Sequence, residues 1–180
     1  MRDFTKMISV LFIVCGLAAA SLAVVNAVTK GPIAGYEKRQ RDEALREVFP
    51  DADEFLNRQP DKVWEALRKG QKTGHVFLTQ VRGYSGPITL MFATDSSGAV
   101  TGLRILSHTE TPGLGAKITT AQFRDQFRNK RLEQLILKKD NPARGQIDAI
   151  TGATISSRAV TKALYSTLES FNREKAGGDK

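Results

Sequence analysis

Between Lys6 and Lys30 the chain carries no charged side chain: MISVLFIVCGLAAASLAVVNAVT occupies Met7 to Thr29. Wound as a helix at 1.5 Å per residue, this run reaches about 35 Å, enough to cross a hydrocarbon layer of roughly 30 Å. A buried core helix is disfavoured because the run has no polar face. A secretory signal peptide is the rival, since Arg2 and Lys6 precede the run and Val25-Asn26-Ala27 has the small residues of a cleavage site. Uninterrupted length favours an uncleaved transmembrane anchor. The sole cysteine, Cys15, lies inside the run, so no intrachain disulfide can form, and bulky Val14 before it argues against lipidation. Basic residues flank both ends, Arg2 and Lys6 before and Lys30, Lys38, Arg39 and Arg41 after. A simple count would keep the C-terminal part inside, but the rule weakens for long translocated domains. At this level the side of the membrane stays open.

The rest of the 180 residues suffices for one domain with a real core. The formal charge is +8, with dense basic spots at Arg128-Asn129-Lys130-Arg131 and Lys138-Lys139. Aromatics make up only 7% of the chain and do not interleave with these spots, which reads as a solvated basic face and not as a nucleic-acid surface.

Gly31-Pro32 is expected to break the anchor, followed by a juxtamembrane helix carrying Ile33, Tyr36, Leu45, Val48 and Phe49 and ending at Pro50. DADEFLNRQPD reads as a polar loop. From Lys62 the pattern turns to sheet: KVWEAL and HVFLTQV flank the turn-rich RKGQKTG, and PITLMFAT and AVTGLRIL flank DSSG. Two hairpins and a largely antiparallel sheet of about four strands follow, with Pro87 at a strand start. The loop SHTETPGLGAK leads into an amphipathic helix, ITTAQFRDQFRN, with Ile118, Phe123 and Phe127 on one face. A basic loop from Lys138 to Gly145 precedes a short strand, QIDAI. A last helix, beginning at Ser156 or Ser157, carries Val160, Leu164, Leu168 and Phe171 on one stripe.

A strand, a small-residue turn (Thr151-Gly152-Ala153-Thr154) and a helix start outline an anion site, because the first helical N–H groups are free and the helix dipole favours negative charge. The alternative is that Thr151 or Thr154 simply caps the helix. No P-loop or dinucleotide fingerprint is present. Two histidines, His75 and His108, and one membrane cysteine leave little for a hydrolase triad or a metal cluster, so no catalytic residue and no metal site is assigned.

Asp148-Ala149-Ile150-Thr151-Gly152-Ala153-Thr154 matches the pattern D-x-x-[ST]-G-A-[ST], at which a flavin transferase links FMN through its phosphate to a threonine hydroxyl. With GYSGPI (Gly83 to Ile88), HTETPGLGAKI (His108 to Ile118) and the single anchor, the chain resembles the G subunit of the Rnf electron-transport complex. It resembles less closely the C subunit of the sodium-pumping NADH:quinone reductase. Thr151 stands where serine is commoner.

The resemblance implies an α+β chain divided as 1–29 anchor, 30–61 juxtamembrane helix and linker, 62–173 FMN-binding domain and 174–180 flexible tail. It implies that Thr154 carries covalent FMN, that Gly152 and Ala153 keep it accessible, and that Asp148 and Thr151 belong to the transferase recognition sequence or to the local turn. It implies a loop of His108, Glu110, Thr111, Gly113, Leu114 and Gly115 lying against the isoalloxazine ring. It further implies a single-pass protein of the cytoplasmic (inner) membrane, its C-terminal domain outside the cytoplasm, relaying electrons between the membrane and redox subunits of an Rnf-type complex without independent turnover. A free-standing flavin reductase and a flavin-free module for anionic ligands remain the alternatives.

Overall fold

The computed structural model describes residues 2–59 and 62–177 and divides into two units, residues 1–41 and 42–180. Pro60, Asp61 and the last residues of the expected tail, including Asp179, lie outside the described residues.

Helix α1 runs Arg2–Val48. Its segment Lys6–Gly31 has a mean hydropathy of 2.7 and no buried residue, and it is long and apolar enough to cross a membrane. The hydroxyls of Ser21 and Thr29 donate to the carbonyls of Leu17 and Val25, each at 2.8 Å, which satisfies them without water. The expected break at Gly31-Pro32 does not occur: the helix continues through residues 31–32. A proline removes one i→i−4 hydrogen bond, and the turns on either side retain theirs. Tyr36 is exposed, and the side chain of Ile33 lies outside what the structure describes.

The second unit is built on a five-stranded antiparallel meander in the order β1-β2-β3-β4-β5. The strands are β1 (Glu54–Gln59), β2 (Val63–Arg68), β3 (Gln71–Arg82), β4 (Pro87–Asp95) and β5 (Val100–His108). Both expected hairpins form. Lys69 and Gly70 make a two-residue connection with φ of 51° and 74°, the all-positive geometry that matches strand twist. In the β4–β5 turn, Asp95 Oδ1 accepts from the amides of Ser97 and Ala99, and Gly98 takes a φ of 83°.

β1 replaces the expected polar loop. Its residues are mostly exposed because it is an edge strand, so apolar alternation does not announce it; main-chain pairing with β2 creates it. The expected helix over 118–129 is instead a 3-10 turn (Gly115–Thr119), a single α-turn α2 (Ala121–Arg124) and another 3-10 turn (Asp125–Phe127). The hydroxyls of Thr119 and Thr120 donate back to the carbonyls of Ala116 and Lys117, and Thr120 adopts extended backbone, which interrupts the helix. Ile118, Phe123 and Phe127 are nevertheless all buried, as their spacing requires. The expected strand QIDAI shrinks to one parallel bridge, Leu137 to Ile147.

Strand alternation divides the core. Phe77, Ile88, Leu90 and Phe92 pack with Ile118, Phe123, Phe127 and the apolar stripe Val160, Leu164 and Leu168 of α3 (Thr154–Gly177). Val76, Met91 and Ala93 point to the other face and pack with Trp64, Ala66 and the end of α1, namely Ala44, Leu45, Val48 and Phe49. Close approach there depends on two glycines. A Cβ on Gly102 would stand 2.8 Å from Val48 Cα, and one on Gly74 would stand 2.5 Å from Phe49 Cε2. Thr101 Oγ1 donates to the Val48 carbonyl at 2.8 Å, serving a C-terminal carbonyl of α1.

Candidate functional site

Three separate stretches of chain meet at one end of the sheet. The β3–β4 turn is closed by a hydrogen bond from Gly83 N to Gly86 O at 2.7 Å. After β5, Thr111-Pro112-Gly113-Leu114 forms a turn with the Leu114 amide donating to Thr111 O. Gly113 at φ 75° and Pro112 before it suit a type II turn. The third stretch is Ile150-Thr151-Gly152-Ala153, closed by Ala153 N donating to Ile150 O at 2.9 Å, with Gly152 at φ 78°. Ser157 locks this turn to the helix it precedes: its Oγ accepts from Ile150 N at 3.0 Å and donates to Ala153 O at 2.9 Å.

Glu110 ties the first two stretches to the third. It is 4% exposed. Its Oε1 accepts from the Ser85 amide at 3.0 Å, its Oε2 accepts from the buried Ser156 hydroxyl, and its own amide donates to His108 Nδ1 at 3.2 Å. The carboxylate needs the absence of side chains around it. A Cβ on Gly83 would come within 2.3 Å of Oε1, and one on Gly115 within 2.7 Å of Oε2.

The result is a cavity of about 620 Å³ lined by Tyr84, Glu110, Thr111, Leu114, Gly115, Lys139 and residues 152–156. Exposed apolar side chains, Tyr84, Leu114 and Ile155, stand on it. A Cβ on Gly152 would touch Leu114 Cδ2 at 3.1 Å, so loop and turn are in direct apposition. Thr154 is the first residue of α3, partly exposed and on the cavity wall. The Ala153 carbonyl accepts the first helical hydrogen bond, from Ser157 N at 3.0 Å, which makes Ala153 the N-cap. Alanine cannot cap with its side chain, so neither threonine serves as the cap residue and the first-turn amides keep no intrahelical acceptor. The helix therefore starts at Thr154 and not at Ser156 or Ser157.

Of the residues singled out from the sequence, Glu110, Thr111, Leu114, Gly115, Gly152, Ala153 and Thr154 line this cavity. Gly113 shapes the turn, and His108 anchors the Glu110 amide. Asp148 and Thr151 line a separate recess of about 380 Å³ with Gln126 and Phe123. Asp148 is paired with Lys138 at 2.7 Å.

Lys139, Tyr84, Ile155 and Ser156 line the cavity without having been assigned to it from sequence. Lys139 Nζ stands 3.3 Å from Thr154 Oγ1. Beside it, Asp140 makes a two-point pair with Arg158, Nε to Oδ2 at 2.7 Å. The Arg158 guanidinium holds the Asp140 carboxyl below its usual range, and Asp140 raises Arg158 in return.

The model of the FMN-binding domain family matches residues 83–169. The chain is 38% identical over 161 residues to the G subunit of the proton-translocating ferredoxin:NAD(+) oxidoreductase complex of Clostridium ljungdahlii, covering 88% of this chain and 86% of that one. It is 33% identical over 180 residues to the G subunit of the ion-translocating oxidoreductase complex of Methanosarcina acetivorans, covering 93% and 94%. Among solved structures, it resembles the C subunit of the Na(+)-translocating NADH-quinone reductase of Parabacteroides distasonis with a TM-score of 0.50 and 28% identity, over 59% of this chain and 58% of that one. The fold is also shared with Shewanella oneidensis NqrC, at a TM-score of 0.51 and 21% identity over 72% and 74%.

Proposed function

The chain belongs to the family of G subunits of ion-translocating oxidoreductase complexes, and from that premise we propose that it carries FMN esterified to Thr154 and relays electrons inside such a complex. The observation that carries this is convergence: GYSG, HTETPGLG and DAITGAT, distant in sequence, supply the walls of one cavity with the Thr154 hydroxyl among them. The lining suits a flavin mononucleotide. An ammonium and first-turn amides stand where a phosphate would be attached, and Tyr84, Leu114 and Ile155 offer apolar surface to a planar ring.

When bound, the flavin supplies the electron-transfer chemistry, and the protein supplies orientation and electrostatics. The residues of this chain divide that work. Gly152 lets the turn approach Leu114, whose side chain covers the cavity from the loop side. Glu110 holds the loop at a fixed distance from α3 through Ser156. Asp148, exposed and paired with Lys138, is available to a maturing flavin transferase together with Thr151, which is also exposed.

The apolar segment Lys6–Gly31 and the membership in a family of ion-translocating complex subunits support association with a membrane. In this reading the membrane is the cytoplasmic one, the second unit lies outside the cytoplasm, and the partners are the other membrane and redox subunits of an Rnf-type complex. Outside the cytoplasm a lost FMN could not easily be replaced, and a covalent tether holds it at high effective concentration whatever its affinity.

The test is a denaturing gel viewed under ultraviolet light, with the protein produced beside a flavin transferase and without it. A fluorescent band is expected only with the transferase and is lost in Thr154→Ala. A band of equal brightness in Thr154→Ala refutes the attachment site. Absence of flavin from every sample favours a flavin-free module.

A further inference from the structure

Three consecutive charged residues, Lys138, Lys139 and Asp140, lie beside the start of α3, and they are not equivalent. Lys138 is committed: its Nζ is 2.7 Å from Asp148 Oδ2. Asp140 is committed as well, gripped at two points by Arg158, one helical turn beyond Thr154. The middle residue differs. Among the described residues no carboxylate forms an ion pair with Lys139, and its ammonium instead stands 3.3 Å from the Thr154 hydroxyl.

The backbone that carries the three residues is fixed from both sides. Lys138 N donates to Ile147 O at 2.9 Å, and Asp140 N donates to Leu137 O at 3.0 Å. The returning chain lies so close that a Cβ on Gly145 would be 2.5 Å from Lys138 Cα. An exposed lysine on an ordinary solvated face needs none of this bracing, and a surface ion pair costs side-chain entropy to hold. Here two ion pairs, on either side of one lysine, converge on the segment that presents it.

We propose that Lys139 is the positioning cation of the cofactor linkage: its ammonium pairs with the phosphodiester carried by Thr154, and the Lys138–Asp148 and Asp140–Arg158 pairs brace the segment that delivers it. The proposal rests on the assignment of Thr154 as the ester site. It also gives Asp148, the first residue of the D-x-x-T-G-A-T motif, a function within the folded chain. Lysine suits the position because a compact ammonium on a flexible stem follows a phosphate as a point charge.

The test uses the full-length flavinylated protein in detergent, with Lys139→Met, Lys139→Arg, Asp148→Asn and Arg158→Gln variants. The readouts are the fluorescent gel band and the phosphorus NMR resonance of the linkage. Lys139 is exposed, so its substitution leaves the core untouched; circular dichroism checks this. The expected result is that Lys139→Met keeps the band but displaces the phosphorus resonance, that Lys139→Arg returns it most of the way, and that either brace variant displaces it less. Loss of the band in Lys139→Met with recovery in Lys139→Arg also supports a required cation. A resonance unmoved by Lys139→Met overturns the proposal while Thr154 stands, as does loss of the band in both Lys139 variants of a folded protein. No band in the unsubstituted protein defeats the Thr154 assignment itself, and the proposal with it.

Discussion

Replacing Glu110 by alanine tests how the cavity is held open. The carboxylate accepts from the Ser156 hydroxyl, which is 1% exposed, and from the amide of Ser85, an exposed residue. Water can replace the second bond, at a loss of about 0.5–1 kcal/mol, but it replaces the first poorly, because Ser156 is almost fully enclosed although it stands on the cavity wall. A hydrogen bond to a charged group is worth about 1.5–3 kcal/mol, and an orphaned buried hydroxyl costs on the same scale. Glu110→Ala should therefore destabilise the fold by about 2–4 kcal/mol, and Glu110→Gln, which keeps an acceptor for Ser85 and lets Ser156 rotate, by about 1 kcal/mol. The assay is urea unfolding of the full-length protein without flavin, followed by the fluorescence of Trp64, the single tryptophan, buried in the opposite core. A second substitution sharpens it. Gly83→Ala would set a Cβ 2.3 Å from Glu110 Oε1, so its cost should fall by roughly 1 kcal/mol or more when Glu110 is already alanine. Additive effects, or a loss below about 0.5 kcal/mol for Glu110→Ala, would refute the view that this carboxylate ties the loops to α3.

Burial foremost, then the ammonium groups of Lys72 and Lys175, lowers His75 from 6.5 to about 4, with Glu65 opposing. The unfolded chain takes up this proton first as pH falls, so the stability from neutral His75 is complete above 6.5 and is lost toward 4, a term of about 3 kcal/mol. His75→Gln should flatten the decline between pH 6.5 and about 5 without removing the steeper acid limb that belongs to Glu65 and other paired carboxylates; an unchanged slope there would exclude the histidine. For sidedness, Glu174→Cys in a Cys15→Ser background should react with an impermeant thiol reagent in cells whose outer barrier is opened. Labelling only after lysis would place the domain on the cytoplasmic side.

Local chemistry made the hairpins legible: Lys69-Gly70 and Asp95 to Gly98 are turns whose residue types dictate their geometry. The buried faces of 118–127 and of α3 were equally readable from apolar spacing, although the first is wound as broken turns. What could not be read depended on partners remote in sequence. β1 exists because β2 offers a hydrogen-bonding edge, and nothing in Glu54 to Gln59 alternates strongly enough to say so. In the sequence Lys139 is one more charge in a basic stretch, and its approach to Thr154, between neighbours paired with Asp148 and Arg158, is a tertiary fact. The family resemblance singles out Glu110 only as one member of the loop after β5, whereas its burial against Ser156 and its dependence on Gly83 and Gly115 are tertiary facts.

The last two turns of α1 form a whole layer of the second core, with Ala44 and Val48 fully enclosed and Gly74 and Gly102 cut back to admit the backbone and Phe49. The boundary between the two units therefore falls inside a continuous helix. Cutting the chain after Phe49 would strip the cover from Trp64, Val76 and Met91 and leave an aggregating sheet face, whereas a fragment beginning at Asp42 retains it. A chimera with a foreign membrane segment must accordingly be spliced ahead of Asp42. An insertion of one or two residues between Ala44 and Val48 would turn one of them off the sheet, since each added residue rotates the helix by about 100°. The exposed positions of this stretch can drift in composition, but its length is fixed.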